Sequence, residues 1–173
     1  MNHLSIAERA KVIQLLVEGN SLRSTSRILE LSINTVTKVL EKVGNACLQF
    51  HNDTVVNIPA KRVECDEIWS FVYAKEKNVQ YSTKHNDKNV GDAWTFVGID
   101  GDTKLIINWL VGCRDAISAN DFMQELAARL RNRVQLTTDG FRPYIRAVET
   151  AFEDEIDYSM LIKIYGQPEG TGD

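Results

Sequence analysis

The chain has 173 residues, 43% hydrophobic and 25% charged, which excludes both a disordered segment and a fibrous repeat. Its longest apolar run, Leu105 to Val111 with Asn108 inside it, is far too short to span a bilayer, and Glu8, Arg9 and Lys11 break up any export leader. The net charge of -4 argues against a nucleic-acid partner when taken alone, but residues 1–50 hold six basic against four acidic groups and the remainder 14 against 20.

The first segment is predicted to form three helices. Ser5-Ile6-Ala7-Glu8 is a capping-box pattern, followed by Ala10, Ile13, Leu16 and Val17 at helical spacing, and Gly19-Asn20 is a suitable stop. A second helix is expected from about Ser21 to Leu29, with Leu22, Ser26 and Leu29 inward. After a short turn, Ser32 caps a third helix through Val36, Val39, Leu40 and Val43, with Gly44 ending it. Two short helices joined by so tight a turn, after a packing helix, form a helix-turn-helix pattern. The third helix then offers Asn34, Thr35, Thr37 and Lys38 to base edges and phosphates of double-stranded DNA. A three-helix packing or dimerisation unit has the same apolar pattern.

Residues 46–61 read as a linker ending near Pro59. From Val63 to Ala74 the chain is rich in β-formers with apolar residues on both sides, the pattern of a central strand covered on both faces. Asn78 to Asp92, with Lys84, Asn86, Lys88 and Asn89, is a polar loop or hairpin tip. Ala93 to Asp100 and Lys104 to Gly112 are strands, and Asp100-Gly101 is a two-residue hairpin signal. Ser118 to Arg131 is an amphipathic helix with Phe122, Met123, Leu126 and Leu130 inward. Val134 to Thr138 is a strand, Arg142 to about Glu155 a helix opened by Pro143, and Tyr158 to Tyr165 a last strand before a polar tail, 167–173. Three antiparallel strands followed by parallel strands reached through helices make a mixed α/β sheet with helices on its faces.

Glu64, Asp66 and Glu67 interrupt the first strand, and a carboxylate on a covered strand is costly unless paired or bound to a cation. Strand alternation puts Asp66 on the side of Ile68 and Ser70, and Glu67 on that of Trp69 and Phe71. The bland alternative is a frayed, solvated strand start. Asp139 lies at the carboxyl end of the fourth strand, where open α/β sheets form ligand crevices, although a turn aspartate capping the next helix gives the same sequence. If the first and fourth strands are neighbours, Asp66 and Asp139 converge. Close carboxylates repel unless they share a proton or a metal, and oxygen ligands suit Mg²⁺ or Mn²⁺. His3, His51 and His85 show no metal-ligand spacing, and no serine or cysteine has the context of a nucleophile. Cys47, Cys65 and Cys113 lack Cys-x-x-Cys spacing, which fits a reduced, cytoplasmic setting.

Cys65-Asp66-Glu67-Ile68-Trp69-Ser70-Phe71, Trp94-Thr95-Phe96-Val97-Gly98-Ile99-Asp100, Arg114-Asp115-Ala116 and Thr137-Thr138-Asp139-Gly140 occur in that order. Together they resemble the DDE transposases of bacterial insertion sequences, specifically the insertion-sequence-one family. The resemblance covers most of residues 60–166, and the helix-turn-helix over 1–45 is in keeping with it. It implies an RNase H-like core over 62–166, with two Mg²⁺ (or Mn²⁺) ions held by two aspartates and a glutamate. Asp66 and Asp139 match the two aspartates. The implied activity is DNA cleavage and strand transfer in the bacterial cytoplasm, at the nucleoid, with inverted-repeat ends and target DNA as partners. Two DNA ends imply a homodimer or larger assembly. The family's glutamate comes from a helix after the fifth strand. Glu149, Glu153, Glu155 and Glu169 do not match it, so the expectation is a C-terminally truncated core with no third acid. A non-catalytic DNA-binding regulator and an RNase H-like nuclease are the alternatives.

Overall fold

The structure, a computed structural model, describes residues 4–84, 87 and 89–162. The chain divides into two compact units, one ending at Thr54 and the other beginning at Val55.

In the first unit, α1 (Ile6–Val17) opens with the full capping box: Ser5 Oγ accepts from the Glu8 amide (3.3 Å) and Glu8 Oε2 from the Ser5 amide (2.7 Å). Gly19 turns the chain with φ 81°, a conformation that costs glycine little. Ser21 caps α2 (Leu22–Ile28) through the Ser24 amide, and Ser32 accepts from Thr35 at the start of α3 (Ile33–Thr54). One side chain from each helix, Val12, Thr25 and Val36, is fully buried. The expected inward set on α2 gives way to Thr25, while Leu22, Ser26 and Leu29 are half-buried.

Helix α3 does not stop at Gly44. It continues for ten residues, because Gly44 keeps helical geometry and a single interior glycine costs only about 1 kcal/mol. No proline interrupts residues 45–54, so the ladder of hydrogen bonds has nothing to break it. The supposed linker therefore begins as helix. Its remainder is also structured. Val55 and Ala60 are buried, and Ile58 bridges to Leu130, donating its amide to the Arg129 carbonyl (2.9 Å) and accepting from the Arg131 amide (3.1 Å). Arg129, itself buried, donates to the Val55 carbonyl (2.9 Å) and pairs with Glu125 (2.6 Å).

The second unit is built on five strands: β1 (Arg62–Val72), β2 (Gly91–Asp100), β3 (Ile106–Gly112), β4 (Val134–Thr138) and β5 (Ile156–Met160). A short helix, α4 (Glu76–Val79), precedes β2, while α5 (Ala116–Arg129) and α6 (Pro143–Phe152) precede β4 and β5. Strand order is β3-β2-β1-β4-β5, antiparallel across β3, β2 and β1 and parallel across β1, β4 and β5. This is a five-stranded mixed α/β sheet. The hairpin expected at Asp100-Gly101 is a wider turn, closed by the Lys104 amide on the Asp100 carbonyl and the Asp100 amide on Leu105, with φ 64° at Lys104. The Asp100 side chain organises it by accepting from the Asp102 amide (3.0 Å) and Thr103 Oγ1 (2.7 Å). The tip residues His85, Asn86 and Lys88, the end of the last expected strand (163–165) and the tail lie outside the described residues.

The expected burial of β1 on both faces is also corrected. Val63 and Cys65 face α5 and α6 in a core with Phe96, Phe122, Leu126, Leu136 and Tyr144, whose rings meet with Phe141 at 5.5–6.4 Å. On the opposite face Ile68 is 62% and Val111 61% exposed, and no described helix of the second unit covers them. At the β2–β3 pairing the register slips between Gly98 and Ile99, leaving Ile107 extra, so Ile107 and Asn108 are both buried. Asn108 donates to the Phe122 carbonyl (2.9 Å), and Gly98 has no room for a Cβ beside it.

Candidate metal centre

Parallel pairing of β1 with β4 ends at Cys65↔Thr138. One residue further on each strand stand Asp66 and Asp139, so the register itself sets the two carboxylates side by side. Beyond that point β1 has lost its neighbour on this side, because β4 turns toward α6. The gap lets Glu67, which alternation assigns to the other face, reach the same spot. Among the described residues, Asp66, Glu67 and Asp139 form an acidic group whose nearest ligand oxygens all lie within 4.8 Å of one another.

Each carboxylate is held differently. Asp66 is exposed, and its Oδ1 accepts from the Glu67 amide (2.8 Å). Asp139 is half-buried, and its Oδ1 accepts from the Phe141 amide (3.0 Å), so it does make the turn that leads into α6. Both aspartates line a groove of about 720 Å³ on the uncovered sheet face, beside Thr137, Ile68 and Val97. Glu67 has a side chain only 1% exposed.

Arg114, in the turn between β3 and α5, ties the centre together. Its Nε donates to Glu67 Oε2 (3.0 Å) and its Nη2 to Asp139 Oδ2 (3.2 Å). The guanidinium lies 4.1 Å from the Phe141 ring centroid and 5.1 Å from that of Trp94. Asp115 beside it caps α5 through the Ser118 amide (2.8 Å), which holds its carboxyl below the usual range.

Burial pushes the Glu67 carboxyl up from its ordinary pKa and the Asp139 charge adds to this, while the Tyr144 hydroxyl and Arg114 oppose it. Tyr144 and Glu67 influence each other, yet no hydrogen bond of good geometry joins them: Glu67 Oε1 and the Tyr144 oxygen are both buried without a partner. Burial also pushes the Cys65 thiol far up, which makes it inert as a nucleophile.

These residues fit a hard divalent cation. The donor set is all oxygen, the three ligand atoms are close enough for one ion, and Glu67 carries a buried oxygen, Oε1, without a well-formed hydrogen bond. Alternation on β1 separates Glu67 from Asp66, so sequence reasoning had no reason to add it. Arg114 stands in the sequence only as part of the Arg114-Asp115-Ala116 motif, with no role for its side chain.

The other candidate residues lie on α3, in the first unit. Asn34 and Lys38 are exposed, one helical turn apart and on one side. Thr35 and Thr37 are half-buried; the Thr35 hydroxyl is bonded to Ser32 Oγ (2.8 Å), and Thr37 donates to the Ile33 carbonyl (3.0 Å). Among the described residues no helix is long and apolar enough to cross a membrane.

No protein-family model matches the chain, and no curated protein matches it. Among solved structures, a cryo-EM structure of the piggyBac transposase synaptic complex with hairpin DNA is similar to it, with a TM-score of 0.40 and 12% sequence identity. The likeness covers 94% of this chain and 32% of that one, so this chain spans about a third of that protein's length.

Proposed function

We propose that this chain is a DDE-type transposase of a bacterial insertion sequence, built from a helix-turn-helix unit and an RNase H-like core. The observation that carries this reading is the convergence of Asp66, Glu67 and Asp139 at the end of the β1–β4 pairing, in a sheet ordered β3-β2-β1-β4-β5. Three antiparallel strands extended by parallel strands, with acids at the end of the first parallel pairing, support the RNase H-like core that the family resemblance implies. Asp66, Asp139 and Glu67 would hold a divalent ion, Mg²⁺ or Mn²⁺.

When bound, such ions activate an attacking water or 3′-hydroxyl and stabilise the leaving oxygen of a phosphodiester. The protein's own residues do the positioning. The Glu67 and Phe141 amides orient Asp66 and Asp139, and Arg114 fixes Glu67 and Asp139 relative to each other. The groove on the open sheet face gives a backbone access to the two aspartates. Asn34 and Lys38, both exposed on α3, would contact DNA at the terminal inverted repeats; their exposure on one side of the helix supports this reading.

The test uses supercoiled plasmid DNA with Mg²⁺ or Mn²⁺. The protein is expected to nick it, and Asp66→Asn or Asp139→Asn to reduce nicking by at least about a hundredfold while gel-shift binding of duplex DNA persists. Full metal-dependent activity in either variant would remove these residues from the chemistry.

A further inference from the structure

A centre that only had to bind a cation would not need Arg114. A guanidinium is always charged and can only donate, so it can never be a metal ligand. Here it takes one oxygen from each of two carboxylates, Glu67 Oε2 at 3.0 Å and Asp139 Oδ2 at 3.2 Å. It is held there by the faces of Phe141 and Trp94, which makes this a fixed position rather than one of many for a surface side chain. It does the electrostatic work of a cation for the buried Glu67, whose other oxygen has no well-formed hydrogen bond.

An ion bridging the three carboxylates would sit within reach of that positive charge and would draw on the same two side chains. We propose that Arg114 is a resident counter-ion that competes with the divalent cation for Glu67 and Asp139, so that metal loading is coupled to withdrawal of Arg114 from its stack on Trp94 and Phe141. This rests on the metal-binding reading above and adds a regulatory element to it: occupancy is set by a cation already present in the chain.

Two measurements test this on the whole chain. Mn²⁺ binding, read by the loss of the free-ion electron paramagnetic resonance signal, is expected to be at least about tenfold tighter in Arg114→Gln than in the unaltered protein, since one unit charge beside the ligands is gone. In a Trp69→Phe Trp109→Phe background, which leaves Trp94 as the single tryptophan, Mg²⁺ is expected to change Trp94 emission in step with occupancy measured by calorimetry. This second arm keeps Arg114 and does not depend on the folding of Arg114→Gln; its two substitutions fall on tryptophans that are about 40% exposed. Equal or weaker Mn²⁺ affinity in a folded Arg114→Gln protein, or Mg²⁺ occupancy with unchanged Trp94 emission, would overturn the competition. Absence of metal binding in every protein tested would overturn the metal reading itself, and the competition with it.

Discussion

In the first unit, three helices share three fully buried side chains, Val12, Thr25 and Val36, and each helix begins at a serine cap a few residues from the groups it satisfies. In the second unit the core draws Val63, Phe96, Ile107, Phe122, Leu126, Leu136 and Tyr144 from six different elements, and its acidic centre is set by pairing between strands far apart in the chain. The first unit is thus specified by local chemistry with little burial behind it. The second is specified by non-local register with a large core behind it. The proposed function follows the same division: exposed polar positions on a small helical scaffold against convergent acids on a sheet.

Core truncation should separate the two most strongly. Phe122→Ala removes a ring in contact with Phe96 and Tyr144 and should cost about 3–5 kcal/mol, read from urea denaturation. Val36→Ala in the small core should cost about 2 kcal/mol, from two lost methyl-sized groups and the space they leave. Equal losses would contradict the contrast in burial. A smaller effect is expected from Asp100. Thr103 and the turn amides hold its carboxyl below the usual range, so the folded protein takes up its proton less readily than the unfolded chain. Its stabilisation is therefore present above the unfolded-state pKa and is lost as pH falls through the lower, folded one. Asp100→Asn should flatten that part of the acid unfolding curve; an unaltered curve would remove Asp100 from the turn's energetics.

The same contrast explains what was legible in the sequence. Ser5 and Glu8 announce α1 because both halves of the capping box lie within one turn, and Val134–Thr138 is a strand in both reading and structure. Gly44 misleads because a glycine marks a helix end only where the chain needs a left-handed residue, and here it does not. The uncovered sheet face is not legible: Ile68, Trp109 and Val111 have the composition of buried strand residues yet are exposed. Burial on the second face is a property of which elements are present, which strand composition does not encode. The convergence of Asp66 and Asp139 could be framed only as a condition on strand neighbours. The inclusion of Glu67 depends on where β4 stops, and the position of Arg114 depends on the turn after β3.

Calorimetric titration of the chain with Mn²⁺, beside an Asp66→Asn Asp139→Asn double variant, tests the acidic centre most directly. Saturable binding by the unaltered protein and its loss in the folded double variant is the predicted result. Binding that survives the double substitution, or no binding by either protein, would contradict the assignment of a metal centre to these carboxylates.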